Sequence, residues 1–156
     1  MQPETTLEEL IAQLGASPVA FGTDNPVNDG LRGGLEGALD APDTALIDPA
    51  AVIVLEQTPK QVADLRDLAQ DVAGQTDFDT VLVRTPHVAV GVSENLTRAQ
   101  IERGQLAMVA EPDYVAGLHA FAAEAAGFHV NWLLVVGLVV LALLCVAAVT
   151  FRATRR

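Results

Sequence analysis

The longest apolar run in the chain is Val130 to Phe151, VNWLLVVGLVVLALLCVAAVTF, which contains no charged residue. A helix of this length rises about 33 Å, enough to cross a hydrocarbon core about 30 Å thick. Trp132 near one end and three arginines after the other end suit the two headgroup regions. The pattern predicts one membrane span. The expected divisions are a soluble head over residues 1–128, a transmembrane helix over 129–151 and a cytoplasmic basic tail over 152–156.

Two short apolar runs rich in β-branched residues mark the centre of the head. Ala51 to Leu55 is continuously apolar, as expected of a strand buried on both faces, and Thr80 to Thr85 is the second expected strand. Between them, apolar residues recur at helical spacing, at Val62, Leu65, Ala69 and Val72. Strand, helix and strand predict a βαβ unit with parallel strands and a right-handed crossover. The residues expected to begin and end this helix are Thr58, Pro59, Gln61 and Gly74.

The remaining patterns predict helices around this unit and one more strand. Two overlapping capping boxes, Thr5 with Glu8 and Thr6 with Glu9, precede a helix whose apolar face is Leu7, Leu10, Ile11 and Leu14. Gly15 is expected to end this helix. Residues 15–30 and 40–50 are typical of loops and turns. Further elements are a helix with Leu31, Leu35 and Leu39 on one face, a strand from His87 to Val92, a helix from Leu96 to Ala110 capped by Asn95, and a helix from Asp113 to Ala126 that buries Tyr114, Leu118, Phe121 and Ala125. The period from Leu96 to Ala110 is unclear: Ile101 and Met108 favour the helix, whereas the run Leu106 to Val109 also suits a strand.

These elements define the expected fold class. It is α/β: a small three-layer-like domain with a short, mainly parallel or mixed sheet on a βαβ core, plus one C-terminal transmembrane helix. A head of about 128 residues is large enough to bury a core of its own.

The charge of the head limits its partners. All 20 acidic residues but only six basic residues precede the span, which gives the head a net charge of −14 with histidine neutral. Such a domain repels phosphate backbones, so we expect no nucleic-acid partner. The single cysteine, Cys145, lies in the span, so the head contains no disulfide, zinc-thiolate site or cysteine nucleophile.

Candidate chemistry in the head is sparse. The sequence contains no phosphate loop, dinucleotide fingerprint, G-x-S-x-G or HExxH motif. The cluster of Asp24, Asn25, Asn28 and Asp29 does not have the ligand spacing of a calcium loop and is better explained as turn residues. The histidines, His87, His119 and His129, are not spaced as metal ligands. We therefore predict a protein that is not an enzyme, with no catalytic, cofactor-binding or metal-binding residues and no cofactor.

Orientation follows from the flanking charges. Three arginines follow the span within five residues, whereas no lysine or arginine occurs from Gly104 to His129. The positive-inside rule predicts a cytoplasmic C-terminus and a head outside the cytoplasm. The N-terminal sequence lacks a basic region and an apolar core, so it does not resemble a cleaved signal peptide. The alternative topology is a tail-anchored protein with a cytoplasmic head.

Two segments carry a resemblance to a known family. The segments AVIVLEQTPKQVADLRDLAQDVAGQTDFDTVLVRTP and HVAVGVSENLTRAQIERG, with a span closed by arginines, resemble a family of small actinobacterial membrane proteins of unknown function. That family has an N-terminal αβ domain and one C-terminal span, and some members are encoded beside NlpC-type peptidoglycan hydrolases. The resemblance covers about residues 30 to 156. It implies an envelope protein with an external head that works around cell-wall remodelling.

The strand-helix-strand segment is also similar, more distantly, to the TPM domain of envelope and thylakoid proteins. The acidic metal-binding constellation of some TPM domains has no match in this sequence. Two hypotheses follow. The first is a single-pass interaction or scaffold module of the bacterial envelope that binds the membrane and an envelope protein partner. The alternative is a TPM-type metal-dependent phosphatase or hydrolase.

Overall fold

The computed structural model describes residues 5–127, 136–137 and 139–143. Most of the predicted span from Val130 to Phe151, and the whole predicted basic tail, lie outside these residues. Within the described part of the chain, no helix is both long enough and apolar enough to cross a membrane. The span, the tail and the domain divisions at residues 128 and 151 therefore stay predictions.

A four-stranded mixed sheet forms the centre of the head. The strands are β1 (Val19–Phe21), β2 (Ala50–Val54), β3 (Thr80–Arg84) and β4 (Ala89–Ser93), and they lie in the order β1-β2-β3-β4. The first three strands are parallel, and β4 pairs antiparallel with β3. Every residue of β2 and β3 is buried; the continuous apolar run predicts this for β2, whereas β3 also buries Arg84.

Helices cover both faces of the sheet. The helices are α1 (Leu7–Leu14), α2 (Val27–Leu39), α3 (Val62–Gln75), α4 (Arg98–Ala110) and α5 (Tyr114–Ala126), and a 3₁₀ helix spans Pro42–Ile47. One face packs against α2, α4, α5 and the 3₁₀ helix, and the other packs against α1 and α3. The expected α/β class and the parallel β2–α3–β3 unit are therefore confirmed.

The two crossovers between parallel strands have opposite hands. The chain moves from β1 to β2 and then to β3 in one direction across the sheet, yet α2 lies on one face and α3 on the other. Only one of these two connections can have the usual right-handed sense. The β1–α2–β2 and β2–α3–β3 units are therefore not equivalent copies.

Strand β1 lies in a segment that the sequence predicts to be loop, so that prediction is wrong in part. Residues 15–30 are not all loop, because Val19–Phe21 forms the buried edge strand β1 and α2 already begins at Val27. Three residues are too few to show a strand period, and this strand depends on its parallel pairing with β2. Residues 40–50 likewise contain the 3₁₀ helix rather than turns alone.

Three residues predicted to begin or end helices do not do so. Thr58 does not cap α3, because its hydroxyl donates to Thr85 Oγ1 at 2.9 Å, and the helix begins four residues later at Val62. At the other end of α3, Gly74 lies inside the helix, which ends at Gln75. Before α4, Asn95 does not cap the helix. Its amide donates to Asp79 at 2.9 Å, and Thr97 forms the capping box with Gln100 instead.

Other predicted details are confirmed. Of the two predicted capping boxes of α1, that of Thr6 with Glu9 forms, whereas Thr5 Oγ1 donates to Gly22 O at 2.8 Å. The helix predicted from Asp113 to Ala126 is α5, which begins one residue later at Tyr114. The buried residues of α5 include three of the four that its pattern indicates, Leu118, Phe121 and Ala125. Phe121 packs so closely on α4 that a Cβ at Gly104 would lie 2.7 Å from its ring, which explains a glycine inside that helix.

Candidate functional site

The carboxyl ends of β1 and β2 open into a cleft of about 420 Å³ between α1 and α3. Its walls are the loops that follow the two strands, at Gly22–Thr23 and at 55–59, together with the first turns of the two helices. Ligands of open α/β sheets generally bind at this edge, because loops from several strands converge there. The cleft is therefore the first candidate site for a small ligand.

One carboxylate at this cleft is held by neighbouring side chains. Glu56, which follows β2, accepts hydrogen bonds at Oε1 from Thr23 Oγ1 at 2.7 Å and from Asn25 Nδ2 at 2.9 Å. Both bonds lower the pKa of the Glu56 carboxyl, because they favour its charged form, and the bond from Thr23 has the larger effect. Glu56 therefore stays ionised and keeps a fixed position at the cleft.

We expect a measurable titration shift at Glu56. Its side-chain carboxyl carbon, followed by ¹³C NMR, should titrate with a midpoint below the ordinary 4.5. The bonds thus stabilise the fold above that pH, and this contribution is lost as pH falls through the lowered pKa. Thr23→Val should move the midpoint back toward 4.5. Thr58→Val removes a cleft hydroxyl that bonds Thr85 instead, so it should leave the midpoint unchanged, and an equal effect of both variants would contradict the assignment.

The rest of the cleft combines an apolar floor with polar groups. Leu10, Leu65 and Leu68 contribute the apolar surface, while Gln57 and Asp64 add an amide and a second carboxylate. This chemistry suits a polar ligand that is neutral or positively charged, because both ionisable groups are acidic. It provides no cation for a phosphate or carboxylate group among the residues lining the cleft.

The polar cluster of Asp24, Asn25, Asn28 and Asp29 includes two asparagines that bond nearby backbone groups. Asn25 Oδ1 accepts the backbone N–H of Val27 at 3.2 Å, and Asn28 Nδ2 donates to Thr23 O at 2.8 Å. These bonds are typical of asparagine in turns, as the sequence predicts. Across the described residues, no group of three or more histidine, cysteine, aspartate or glutamate side chains is placed to hold a metal ion.

The histidines have separate environments. His87 is exposed in the four-residue loop, 85–88, between β3 and β4. His119 on α5 contacts Asp43 of the 3₁₀ helix, with Nδ1 2.8 Å from Oδ2. His129 lies outside the described residues.

A buried arginine is a feature that the sequence analysis missed. Arg84 at the end of β3 is only 2% exposed. Its guanidinium donates to Thr85 O and, at 3.4 Å, to Glu111 O at the end of α4, and it lies 4.8 Å from the centre of the Tyr114 ring. Burial lowers its pKa, and the tyrosine opposes that shift. Arg84 therefore joins β3 to the α4–α5 junction without a carboxylate partner in the described part of the chain.

A second cavity lies beside β4. It has a volume of about 420 Å³ and lies between the β3–β4 hairpin, at His87 to Ala89, and one side of α4. Leu106 on this helix is 74% exposed. The amino-acid pattern does not predict this surface, because the unclear helical period of α4 does not separate Leu106 from the buried positions.

The fold and these surfaces define a class: a mixed α/β domain with a cleft at the carboxyl edge of its sheet and an apolar groove at one edge strand. The chain matches the family described as Membrane protein Rv1476 over residues 1–156, and it belongs to that family. The resemblance to a family of small membrane proteins is thereby confirmed over the whole chain. No curated protein and no solved structure matches the chain.

Proposed function

We propose that the protein is a single-pass, membrane-anchored interaction module of the bacterial envelope. In this proposal the acidic α/β head lies outside the cytoplasm and binds a protein partner around cell-wall remodelling. Membership of a membrane-protein family and the uncharged run Val130 to Phe151 support the anchor.

The observation that carries the proposal is the place of α5 in the head. Leu118, Phe121 and Ala125 of this helix have no exposed surface, and Gln100 Nε2 donates to Ala125 O at 2.9 Å. The helix ends at Ala126, four residues before the apolar run begins. Four residues reach at most about 14 Å when extended. An anchor starting at Val130 therefore keeps the whole head at the membrane surface, where a partner is held at high local concentration.

The described part of the apolar run is consistent with an anchor. Residues 136–137 and 139–143 are helical, and their large apolar side chains are well exposed, with Val136 at 55% and Leu143 at 65%. Consecutive exposed apolar side chains are unfavourable in water and favourable in lipid.

We expect labelling with a membrane-impermeant thiol reagent to reach the head in intact cells. Val27 is 73% exposed, so Val27→Cys combined with Cys145→Ala provides one accessible thiol in the head. Ser93 is a poor position, because its hydroxyl bonds Thr80 and the backbone N–H groups of Asn95 and Leu96.

The matched control is Ala153→Cys in the same Cys145→Ala background, which should react only after lysis. If instead Val27→Cys reacts only after lysis and Ala153→Cys reacts in intact cells, the head is cytoplasmic and the tail-anchored alternative replaces this topology.

The alternative activity, a TPM-type metal-dependent phosphatase or hydrolase, is favoured by one observation. The cleft lies at the carboxyl edge of the parallel strands, and Glu56 and Asp64 are among its lining residues. A calcium titration monitored by NMR separates the two proposals. Saturable shifts confined to the loops at 22–28 and 55–64 favour the alternative, and their absence favours the interaction module.

A further inference from the structure

The two edge strands of the sheet differ in how their outward backbone groups are bonded. In β1, the bonds from Val52 N to Pro18 O and from Gly22 N to Val54 O direct residues 18, 20 and 22 toward β2. The N–H and C=O groups of Val19 and Phe21 therefore point away from the sheet.

Side chains occupy all of these groups on β1. Gln13 pairs with both backbone groups of Phe21, at 2.9 and 3.0 Å. Arg32 donates to Val19 O, and Ser17 Oγ accepts from Val19 N at 3.1 Å. A strand edge blocked in this way cannot pair with another chain.

The edge of β4 is different. The bonds from Thr85 N to Val88 O and from Glu94 N to Asp79 O show that residues 88, 90, 92 and 94 bond to β3. The backbone groups of Ala89, Gly91 and Ser93 therefore point outward. Within residues 5–127, the only partner of these outward groups is Gln105, which donates to Gly91 O at the long distance of 3.4 Å.

The groove beside this edge provides room for side chains. Ala89 forms part of both the strand edge and the groove, and Leu106 and Val109 of α4 form the apolar opposite side. A strand added to β4 directs alternate side chains to one face, toward α4. Ala89 and Gly91 are themselves buried, so it is the pairing of this edge rather than its exposure that is incomplete. An unpaired strand edge beside an apolar groove is the arrangement used in β-strand addition.

We propose that the edge of β4 binds an extended, basic segment of a partner protein as a fifth strand of the sheet. This inference rests on the proposed interaction function and names its site and the class of its partner. The net charge of −14 on the head favours a basic segment and disfavours a second copy of this chain.

Two carboxylates near the site are consistent with a basic partner. Glu94 directly follows β4 and is exposed. Glu102 lines the groove, where it bonds Arg98 at 2.7 Å in a pair whose side chains are both more than half exposed. Exposed pairs of this kind are weak, so a basic residue of the partner can compete for Glu102.

The test uses the full chain in zwitterionic detergent micelles and a six-residue synthetic peptide of alternating valine and lysine. Amide NMR should show saturable shifts at Ala89, Gly91 and Ser93. A matched peptide of alternating valine and glutamate should bind at least about tenfold more weakly, since a tenfold change corresponds to only about 1.4 kcal/mol. Equal binding of the two peptides, or shifts away from β4, overturns the proposal.

Two variants test the geometry. Ala89→Pro removes an outward N–H and leaves the bonds to β3 in place, so it should weaken binding at least about tenfold. Leu106→Gln keeps the fold, because the side chain is exposed, and should weaken binding several-fold. Val27→Gln, at an equally exposed valine on α2, is the matched control and should bind like the parent. Parent-like binding by Ala89→Pro and Leu106→Gln contradicts the site.

The peptide-binding test of the β4 site and the thiol-labelling test of the proposed function can fail independently. If the lysine peptide binds at β4 but thiol labelling places the head in the cytoplasm, the strand-addition site stands and the envelope topology falls. If labelling places the head outside and the peptide does not bind, only the strand-addition site is wrong.

Discussion

Leu65→Asp should abolish or severely weaken the fold of the head, at a cost of roughly 3 kcal/mol or more in the free energy of unfolding. Leu65 is 2% exposed and packs between α3 and the sheet in the cluster that contains Ile53 and Val83. A carboxylate at this position is buried without a partner. Because domains of this size are stable by only about 5–15 kcal/mol, the loss should be evident in urea unfolding of the full chain in mild detergent.

The matched control lies one turn earlier on the same helix. Val62 is 49% exposed and is the first residue of α3. Val62→Asp places the same carboxylate near solvent and near the positive end of the helix dipole, so it should change stability by less than about 1 kcal/mol. Equal losses from Val62→Asp and Leu65→Asp would show that the facing of α3 is wrong.

The contrast between these two residues shows how much of the fold the sequence predicts. The period of α3 places Val62 on the same face as Leu65, and the structure confirms Leu65, Ala69 and Val72 as buried but leaves Val62 half exposed. The period of apolar residues predicts which residues are buried in the middle of a helix. At its first turn, exposure depends on where the helix begins, which is decided by tertiary contacts.

The caps of α3 and α4 illustrate such contacts. Thr58 is a good capping residue, but its hydroxyl bonds Thr85, 27 residues away on the neighbouring strand. Asn95 is also a good cap, but Asp79 binds its amide, and Thr97 is followed by Gln100 at the capping-box spacing. Local sequence identifies several candidates, and distant partners select among them.

Dependence on partners that are distant in sequence also limits prediction of the candidate sites. Glu56 belongs to the cleft because Thr23 and Asn25, from the loop after β1, bond it across more than 30 residues. The composition of residues 15–30 is typical of a loop, so it does not predict that these side chains lie at the end of a parallel strand. The free edge of β4 depends on strand order, which the pattern of apolar residues does not specify.

The sequence contains one signal for the junction at Arg84: a charged residue within an otherwise apolar strand. Arg84 ends the apolar run that forms β3, and every residue of that strand is buried. A buried arginine needs acceptors, and the structure supplies the carbonyls of Thr85 and Glu111 and the face of the Tyr114 ring. Such a residue predicts a junction between elements, even before its partners are known.

Arg84→Ala should therefore destabilise the head by roughly 3–4 kcal/mol. The substitution opens a cavity in the core and leaves the carbonyls of Thr85 and Glu111 without their donor. Arg84→Met fills much of the same volume, and it removes a charge that burial disfavours. It should therefore lower the free energy of unfolding by less than about 1.5 kcal/mol. Urea unfolding of the full chain in mild detergent, followed by far-UV circular dichroism, measures both.

The control for the charge is Arg98→Ala, at a side chain that is 79% exposed in a surface pair with Glu102. Exposed pairs contribute little, so this variant should unfold within about 0.5 kcal/mol of the parent. If Arg84→Ala is as stable as Arg98→Ala, then Arg84 does not hold the junction of β3 with α4 and α5. If Arg84→Met is as unstable as Arg84→Ala, the hydrogen bonds to the two carbonyls, rather than the filled volume, hold that junction together.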